Sequence, residues 1–284
     1  MIGDGDDAGI VAHAGPAAAR SHFSLRWIVL ADAGGQVPGL CDFAHVAQAL
    51  RDALMSRWGG PVPELISGHA GDGKPSRTPH LAIVPLADVG LPDSDGRLLG
   101  VGLVLPQAAD NSEIAWKLRA MLLGDAAVTA APELRLVFGA NGVWRLQADP
   151  TPRRAMLRAE RYLTPSTRWS SVTPVIYDRF PERTRGDEAE EIVANSCVNA
   201  GLPRPAQLEL MAQSAIEGAT PTLDDGMSFG AKPWSFPARR DGSAHPLNAR
   251  LKMNVRLTFS EPVAGPVLIG AGRFSGLGLC LPEC

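Results

Sequence analysis

Residues 23–58, FSLRWIVLADAGGQVPGLCDFAHVAQALRDALMSRW, begin the pattern that decides the fold. The run Phe23–Ala31 is rich in aromatic, leucine and β-branched residues, which predicts a strand. Asp42 has a side chain suited to capping a helix N-terminus. After it, apolar residues recur at three- and four-residue steps across Phe43–Leu54, which predicts an amphipathic helix. This stretch therefore predicts a strand followed by a helix.

The following residues extend this pattern to a complete unit. The apolar runs Leu81–Leu86 and Leu98–Leu105 predict two strands, and Asp110 precedes a second amphipathic helix. Residues 134–146 predict two strands joined by the turn Ala140–Gly142. The resulting order, β-α-β-β-α-β, is that of a ferredoxin-like fold, in which two helices cover one face of an antiparallel sheet.

A second, weaker copy of the same order follows in the C-terminal half. Residues 170–177 and 207–215 predict strands, and 187–199 predict a helix between them. Apolar residues alternate across 251–259, which is typical of a half-buried strand. A glycine-rich loop at 265–282 then occupies the place where a final helix and strand would be expected.

We therefore predict an α+β fold of tandem ferredoxin-like (RAMP/RRM-like) domains with a C-terminal glycine-rich loop. The expected organisation is a flexible leader at 1–21, an N-terminal ferredoxin-like domain at 22–150, and a C-terminal ferredoxin-like domain at 151–284. The leader is rich in glycine, alanine and aspartate and shows no periodicity, which is typical of a mobile terminus. Residues 218–248 form an insert that the sequence does not assign.

Composition narrows the class of protein. Hydrophobic residues make up 45% of the 284 residues and charged residues 20%, which excludes a disordered chain. No apolar run approaches the ~18 residues that span a bilayer. The N-terminus also lacks the basic and apolar stretches of a signal peptide. A cytoplasmic protein that does not associate with membranes is expected.

The charge distribution indicates a nucleic-acid partner more clearly than the net charge of −3 does. Residues 145–185 contain nine arginines against four acidic residues, and 231–276 contain seven basic residues against two acidic ones. Locally basic surfaces of this kind suit a phosphate backbone. The alternative is that the arginine content only reflects a GC-rich genome.

Cysteine spacing gives no reason to expect a metal. Cys280 and Cys284 form the one close pair in the sequence, whereas a structural zinc site usually needs two such pairs. We expect no metal ion and no cofactor.

The glycine-rich loop, GPVLIGAGRFSGLGL at 265–279, suggests a phosphate contact. Gly270, Gly272, Gly276 and Gly278 lack side chains that would obstruct their backbone N–H groups. The loop is neither a Walker loop nor a dinucleotide fingerprint, because the lysine and the following helix are missing. The alternative is a glycine-rich hairpin that serves packing alone.

The segment 265–282 resembles the C-terminal glycine-rich loop of the RAMP superfamily of CRISPR proteins. The likeness is closest to the RNA-processing half of the fused subunit of type I-U (I-G) systems. It extends to SGHAGDGKP at 67–75 with PHLAIVPL at 79–86, to DGRLL at 95–99, and to TPVIYDRF at 173–180 with GLPRP at 201–205.

This resemblance implies tandem ferredoxin-like folds and metal-independent endoribonuclease activity on CRISPR repeat RNA. The 2′-hydroxyl of the repeat would act as nucleophile and leave a 2′,3′-cyclic phosphate and a 5′-hydroxyl on the mature crRNA. Other subunits of a type I CRISPR complex would be further partners.

Histidines are the main catalytic candidates, because such a cut needs a base and an acid that titrate near neutral pH. His69 and His80 flank a glycine-containing loop that also holds Lys74 and Arg77. We expect His69 to act as base or acid, His80 as its partner or as an RNA contact, and Lys74 to stabilise the phosphorane. His45 in the first helix is a further candidate, because family members commonly place a catalytic histidine there. Chance histidines in a solvated loop are the alternative.

Other residues are expected to bind the RNA without reacting. They are Arg77, Arg239, Arg240, Lys252, Gly270, Gly272, Arg273, Gly276 and Gly278. The aromatic residues weighed as base-stacking groups or as core residues are Trp144, Trp169, Trp234 and Phe236.

Two other functions fit the same residues. The first is a non-catalytic RNA-binding subunit of a CRISPR surveillance complex, which would use the same fold to hold a processed RNA. The second is a ferredoxin-like metabolic enzyme or regulator, whose glycine loop and arginines would be compositional.

Overall fold

The computed structural model describes residues 18–124, 131–182, 186–219, 232–239 and 241–283. Within these ranges the chain forms two curled sheets and few helices, a mixed α+β structure. The α+β prediction is thereby confirmed. In these residues no helix is both long and apolar enough to cross a lipid bilayer.

The bounds of the elements are as follows. The strands of these ranges are β1 (Ala19–Arg20), β2 (Ile28–Gly35), β3 (Ala82–Ala87), β4 (Leu98–Val104), β5 (Leu134–Val137), β6 (Val143–Ala148), β7 (Ser166–Ser171), β8 (Val175–Ile176), β9 (Gln207–Met211), β10 (Lys252–Ala264) and β11 (Cys280–Pro282). The α-helices are α1 (Phe43–Arg57), α2 (Glu64–Ser67), α3 (Glu113–Leu123) and α4 (Asp187–Asn199).

The first sheet has the strand order β3-β4-β2-β6-β5, and every neighbouring pair is antiparallel. Strands β2 and β3 therefore run in the same direction, with β4 between them, and α1 connects them. A register shift between Asp32 and Gly34 marks a bulge in β2, and such bulges bend a strand. The strand predicted at 23–31 lies at 28–35 in the structure.

Helix α1 packs on β3 and β5, the two edge strands of this sheet. Its apolar face, with Leu50 and Leu54, is completely buried. Helix α3 begins two residues later than expected, because its N-cap is Ser112, whose hydroxyl accepts a hydrogen bond from the N–H of Ala115. Asp110 instead accepts a hydrogen bond from Ser24.

The second sheet is built around the long strand β10. The order β9-β10-β7-β11 is antiparallel throughout, and β8 pairs with the start of β10. Helix α4 places Ile192, Val193 and Cys197 in one apolar cluster with Val255 and Leu257 of β10. The alternation predicted for 251–259 therefore reflects one face buried under α4.

The end of the predicted leader belongs to this second sheet. Residues Ala19–Arg20 form β1, which pairs in parallel with Val263–Ala264. The hydroxyl of Ser21 donates a hydrogen bond to the carbonyl of Pro266 at 2.7 Å. The rest of the predicted leader, 1–17, lies outside the described residues.

The glycine-rich loop packs between the two sheets. Leu268, Leu277 and Leu279 are fully buried in the same apolar cluster as the first sheet. A Cβ on Gly276 would lie 2.3 Å from a ring carbon of Phe43 in α1. The core of the first sheet therefore extends beyond the segment 22–150 and includes residues near the C-terminal end.

We expect Gly276→Ala to lower the free energy of unfolding by about 3–5 kcal/mol, because it adds overpacking to a left-handed backbone. Gly276 has φ of 78° and meets Phe43. Gly73 is a matched control, with φ of 77° and no atom within 4 Å of the position that a Cβ would take. Gly73→Ala should cost about 1–2 kcal/mol. Urea denaturation of both variants measures the difference, and equal costs would contradict the packing role.

Candidate functional site

The side chain of Arg51 joins three distant segments of the chain. Arg51 is only 8% exposed, and its guanidinium donates hydrogen bonds to the carbonyls of Ile66 at 2.6 Å, Leu81 at 3.0 Å and Phe274 at 2.9 Å. Burial lowers the pKa of Arg51 to about 10, so it remains charged at neutral pH. This residue holds the tip of the glycine-rich loop against the loop that contains the candidate histidines.

Sequence reasoning missed Arg51, although the pattern contained a signal. The residue lies on the apolar face of α1, between Ala47 and Leu54 at helical spacing. A lone arginine in such a stripe needs polar partners inside the protein, because a buried charge is otherwise too costly.

His80 stacks on Phe274, the aromatic residue at the tip of the glycine-rich loop. The ring centroids are 3.7 Å apart, and the interplanar angle is 27°. Nδ1 of His80 lies 3.0 Å from the carbonyl oxygen of Thr78. Since a carbonyl only accepts, Nδ1 carries the proton in the neutral ring and Nε2 is left as an acceptor. Nε2 faces Gly68, where a Cβ would lie only 2.9 Å away.

The surroundings of His80 keep its ring neutral. Burial, with His80 only 8% exposed, lowers the pKa of this histidine to about 4. The positive charges of Arg51 and Arg273 and the ring of His69 lower it further, whereas the hydrogen bond to Thr78 opposes the change. At neutral pH His80 is therefore a neutral imidazole, with Nε2 as its unprotonated nitrogen.

Arg273 brings a cation to the same aromatic ring. Its guanidinium carbon lies 4.6 Å from the ring centroid of Phe274, and Nη1 donates to the carbonyl of Gly270 at 2.9 Å. Burial lowers the pKa of Arg273, and the carboxylate of Asp178 partly opposes this shift. His80 and Arg273 thus both contact the ring of Phe274, and the charge of Arg273 acts on His80.

His69 lies at the exposed rim of the cluster. Its Nδ1 is 3.1 Å from the carbonyl of Ser67, and its backbone forms a bridge with Pro75. The bridge closes a short hairpin whose turn contains Lys74. His69 is accessible to solvent and influences the pKa of His80. We call His69, His80, Arg273 and Phe274 the histidine cluster.

Lys74 and Arg77 are exposed residues of the same loop. The Lys74 side chain is 80% exposed, and its ammonium group forms an ion pair with Asp72 at 2.8 Å. Arg77 is also exposed. The loop therefore places these two cations toward solvent, whereas Arg273 lies in the cluster itself.

His45 lies on another face of α1. It is six residues before Arg51, which places the two side chains about 120° apart around the helix axis. His45 lines a groove of about 690 Å³ together with Asp52, Arg135 and Pro237. Burial lowers the pKa of His45. The structure thus does not bring His45 into the histidine cluster.

Three of the residues expected to bind RNA, Arg239, Arg240 and Lys252, lie outside both the loop 67–80 and the glycine-rich loop. Arg239 is exposed, and Arg240 lies outside the described residues. The Lys252 ammonium group donates to the carbonyls of Leu247 at 3.3 Å and Arg250 at 3.4 Å. Burial lowers the pKa of Lys252.

The four glycines of the loop are buried, and their missing side chains permit close packing. A Cβ on Gly270 would lie 2.6 Å from the carbonyl oxygen of Ile176, and one on Gly278 would overlap the carbonyl of Ile269. Gly272 lies similarly close to Ile176. The loop thus needs glycine for packing, and RNA contacts by Gly270, Gly272, Gly276 and Gly278 stay a prediction.

The aromatic residues weighed as stacking groups belong to the core. The side chains with less than a tenth of their surface exposed are Trp144, Trp169, Trp234 and Phe236. Phe236 also stacks on His245, with ring centroids 4.5 Å apart.

Chemically, the cluster combines a neutral buried imidazole, an exposed imidazole and a guanidinium. Such a set can accept one proton, donate another and stabilise negative charge. Within the described ranges, no three His, Cys, Asp or Glu side chains lie close enough together to hold a metal ion.

The chain matches a known protein family over most of its length. The family model described as "CRISPR-associated protein, GSU0054 family" matches residues 37–282 of the chain. None of the curated proteins compared with the chain matches it. The family match confirms the resemblance to CRISPR-associated proteins.

We expect Arg51→Met to lower the free energy of unfolding by about 3 kcal/mol, because three buried carbonyls lose their donor. Arg57→Met is a matched control on the same helix, since the exposed Arg57 donates to the carbonyl of Glu133 alone among the contacts described. It should cost less than about 1 kcal/mol. Chemical denaturation measures both, and equal stability of the two variants would contradict the role of Arg51.

The pKa of His80 predicts acid sensitivity. In the unfolded chain His80 takes up a proton near its ordinary pKa of 6.5, whereas the folded pKa is about 4. Stability from this group is therefore complete above pH 6.5 and is lost as the pH falls toward 4, by about 3 kcal/mol. His80→Asn keeps a donor for Thr78 and removes the titration. The slope of unfolding free energy against pH should flatten in this variant, and an unchanged slope would contradict the prediction.

Proposed function

The chain belongs to the GSU0054 family of CRISPR-associated proteins, and we propose on this basis that it is a metal-independent endoribonuclease of the RAMP superfamily. It cleaves CRISPR repeat RNA into mature crRNA. Its further partners are the other subunits of a type I CRISPR complex. Membership of the family gives the protein a CRISPR-related role in antiviral defence, and the features below support the specific activity.

The strand order of both sheets supports a tandem ferredoxin-like architecture. In the first sheet the helix-connected strands β2 and β3 are separated by β4, which is antiparallel to both. In the second sheet β7 and β9 are separated by β10 in the same way, and α4 connects them. The glycine-rich loop takes the place of the second helix in the second unit. This arrangement agrees with the predicted split β-α-β units.

The histidine cluster is the observation that carries the proposed activity. His80 and Arg273 both contact Phe274 at the tip of the glycine-rich loop, and His69, in the loop 67–80, is near enough to influence the pKa of His80. Residues almost 200 positions apart in sequence are therefore brought together, and they supply the base, acid and cation that RNA cleavage by its own 2′-hydroxyl requires.

The two histidines take complementary roles in this reaction. Nε2 of His80 accepts the proton of the 2′-hydroxyl, and the 2′-oxygen attacks the adjacent phosphorus. The bond between phosphorus and the 5′-oxygen breaks, and His69, as the general acid, donates a proton to this leaving oxygen. The products are a 2′,3′-cyclic phosphate and a 5′-hydroxyl. The negative phosphodiester raises the pKa of His80 when it binds, which strengthens His80 as a base.

Arg273 is the cation best placed to stabilise the phosphorane. It lies against Phe274 in the cluster, and a guanidinium binds phosphate oxygens bidentately. Lys74, the residue expected for this role from sequence, pairs with Asp72 in the exposed turn. We therefore assign Lys74 to RNA binding at the rim.

A non-catalytic RNA-binding subunit is the second candidate function. The observation that favours it is the burial of His80, whose ring stacks on Phe274 and whose Nε2 lies against Gly68. In this case the histidine cluster would hold the two loops together, and RNA would bind at the rim without being cut.

Incubation with the cognate repeat RNA in EDTA separates these functions. We expect site-specific cleavage that His69→Ala slows by about 10²–10⁴-fold in single-turnover reactions, the usual contribution of a general acid or base. His80→Asn should slow it similarly while RNA affinity is retained. His22→Ala is a matched control, because His22 is an exposed histidine that lies against Gly201.

The products and the controls decide the outcome. A 2′,3′-cyclic phosphate end and an unchanged rate in His22→Ala would support the endoribonuclease. Tight binding without cleavage would support the non-catalytic subunit. A requirement for Mg²⁺, or full activity of the His69→Ala, His80→Asn double variant, would contradict the mechanism.

A further inference from the structure

We propose that Phe180 and Arg250 form a platform on which an unpaired RNA base stacks, next to the histidine cluster. This inference rests on the proposed RNA-binding function and adds a binding subsite to it. The ligand is a base of single-stranded RNA, since the bases of a duplex are already paired and stacked.

The aromatic ring of Phe180 is exposed to solvent and is not part of the buried core. Its side chain is 60% exposed, whereas the aromatic residues weighed as stacking groups from the sequence, Trp144, Trp169, Trp234 and Phe236, are buried. The guanidinium carbon of Arg250 lies 5.7 Å from the centroid of the Phe180 ring. An aromatic face beside an arginine is the combination that binds single-stranded nucleic acid, by stacking on the base and attracting the backbone.

Arg250 is held in position by the main chain. Its guanidinium donates to the carbonyl of Tyr177 at 3.0 Å and also to the carbonyl of Asp178. These partners are neutral, so the charge of Arg250 is not cancelled by them. The neighbouring Arg179, in contrast, forms an ion pair with Glu188 at 2.6 Å. Of these two arginines, Arg250 is the one available to a phosphate.

The platform lies on the segment that supports the histidine cluster. The N–H of Ala271 in the glycine-rich loop donates to the carbonyl of Ile176 at 2.9 Å. Phe180 follows Ile176 by four residues, which span at most about 14 Å. The carboxylate of Asp178, between them, also acts on Arg273. The platform is therefore within a few nucleotides of the proposed scissile phosphate.

A similar aromatic–arginine pair on α3 provides the matched control. Trp116 is also 60% exposed, and the guanidinium carbon of Arg119 lies 5.9 Å from its ring centroid. Arg119, however, pairs with Asp110 at 3.4 Å, which offsets its charge. Trp116 and Phe180 are thus equally exposed. They differ in that Arg119 is paired with an acid and in that only Phe180 follows the segment that contacts the glycine-rich loop.

The test compares Phe180→Ala and Trp116→Ala in binding to a single-stranded repeat RNA and to the same sequence as a duplex. Phe180→Ala should weaken single-strand binding at least fivefold, the loss expected when one stacked base loses its platform. Binding of the duplex should change less than twofold. Phe180→Tyr should retain the affinity of the unsubstituted chain, because tyrosine presents the same ring face.

The possible failures are distinguishable. If the unsubstituted chain binds the single strand and Phe180→Ala binds as tightly as Trp116→Ala, the platform is disproved and the proposed function stands. Equal weakening of single-strand and duplex binding by Phe180→Ala would also overturn the platform. If the unsubstituted chain binds neither RNA, both the proposed function and the platform are overturned. Since Phe180 is exposed, its replacement should leave thermal unfolding unchanged.

Discussion

The buried guanidinium of Arg51 is the interaction on which the relation between the two sheets depends. It hydrogen-bonds to the carbonyls of Ile66 and Leu81, which flank the loop 67–80 (the histidine loop), and to the carbonyl of Phe274 at the tip of the glycine-rich loop. Two of these partners, Ile66 and Phe274, are more than 200 residues apart in the sequence. A guanidinium suits this position because its planar fork donates in several directions while remaining charged. Replacement by a shorter or neutral group would leave carbonyls buried without a donor.

The glycine-rich loop and the histidine loop are consequently parts of one packed junction. Gly276 permits contact with Phe43, and Phe274 presents its ring to both His80 and Arg273. The low pKa of His80 follows from this packing, because burial desolvates the ring and the charges of Arg51 and Arg273 add to the effect. Packing and chemistry thus share the same residues, which explains why a loop rich in glycine lies next to the groups proposed to react.

Local sequence patterns predicted most helices and strands, but they could not predict contacts between residues far apart in the sequence. The periodicity of α1 and the alternation of β10 each reflect one buried face, so the sequence displays them directly. The packing of Gly270 against Ile176 and the ties of Arg51 depend on tertiary contacts that no local pattern encodes. The loop around His80 makes this histidine a candidate from sequence, whereas Phe274 does not stand out among the glycines that surround it. Arg273 was selected as an RNA contact, but its position beside His80 emerged from the fold.

The late position of the glycine-rich loop in the chain has a consequence during synthesis. The first sheet is made early, but part of its core, Leu268, Leu277 and Leu279, is translated more than 100 residues later. Until then the nascent sheet exposes apolar surface, a state that favours chaperone binding or misfolding. The histidine cluster does not exist in that state, because Phe274 and Arg273 have not yet been made. Completion of the core is therefore coupled, during synthesis, to the appearance of the groups proposed to react.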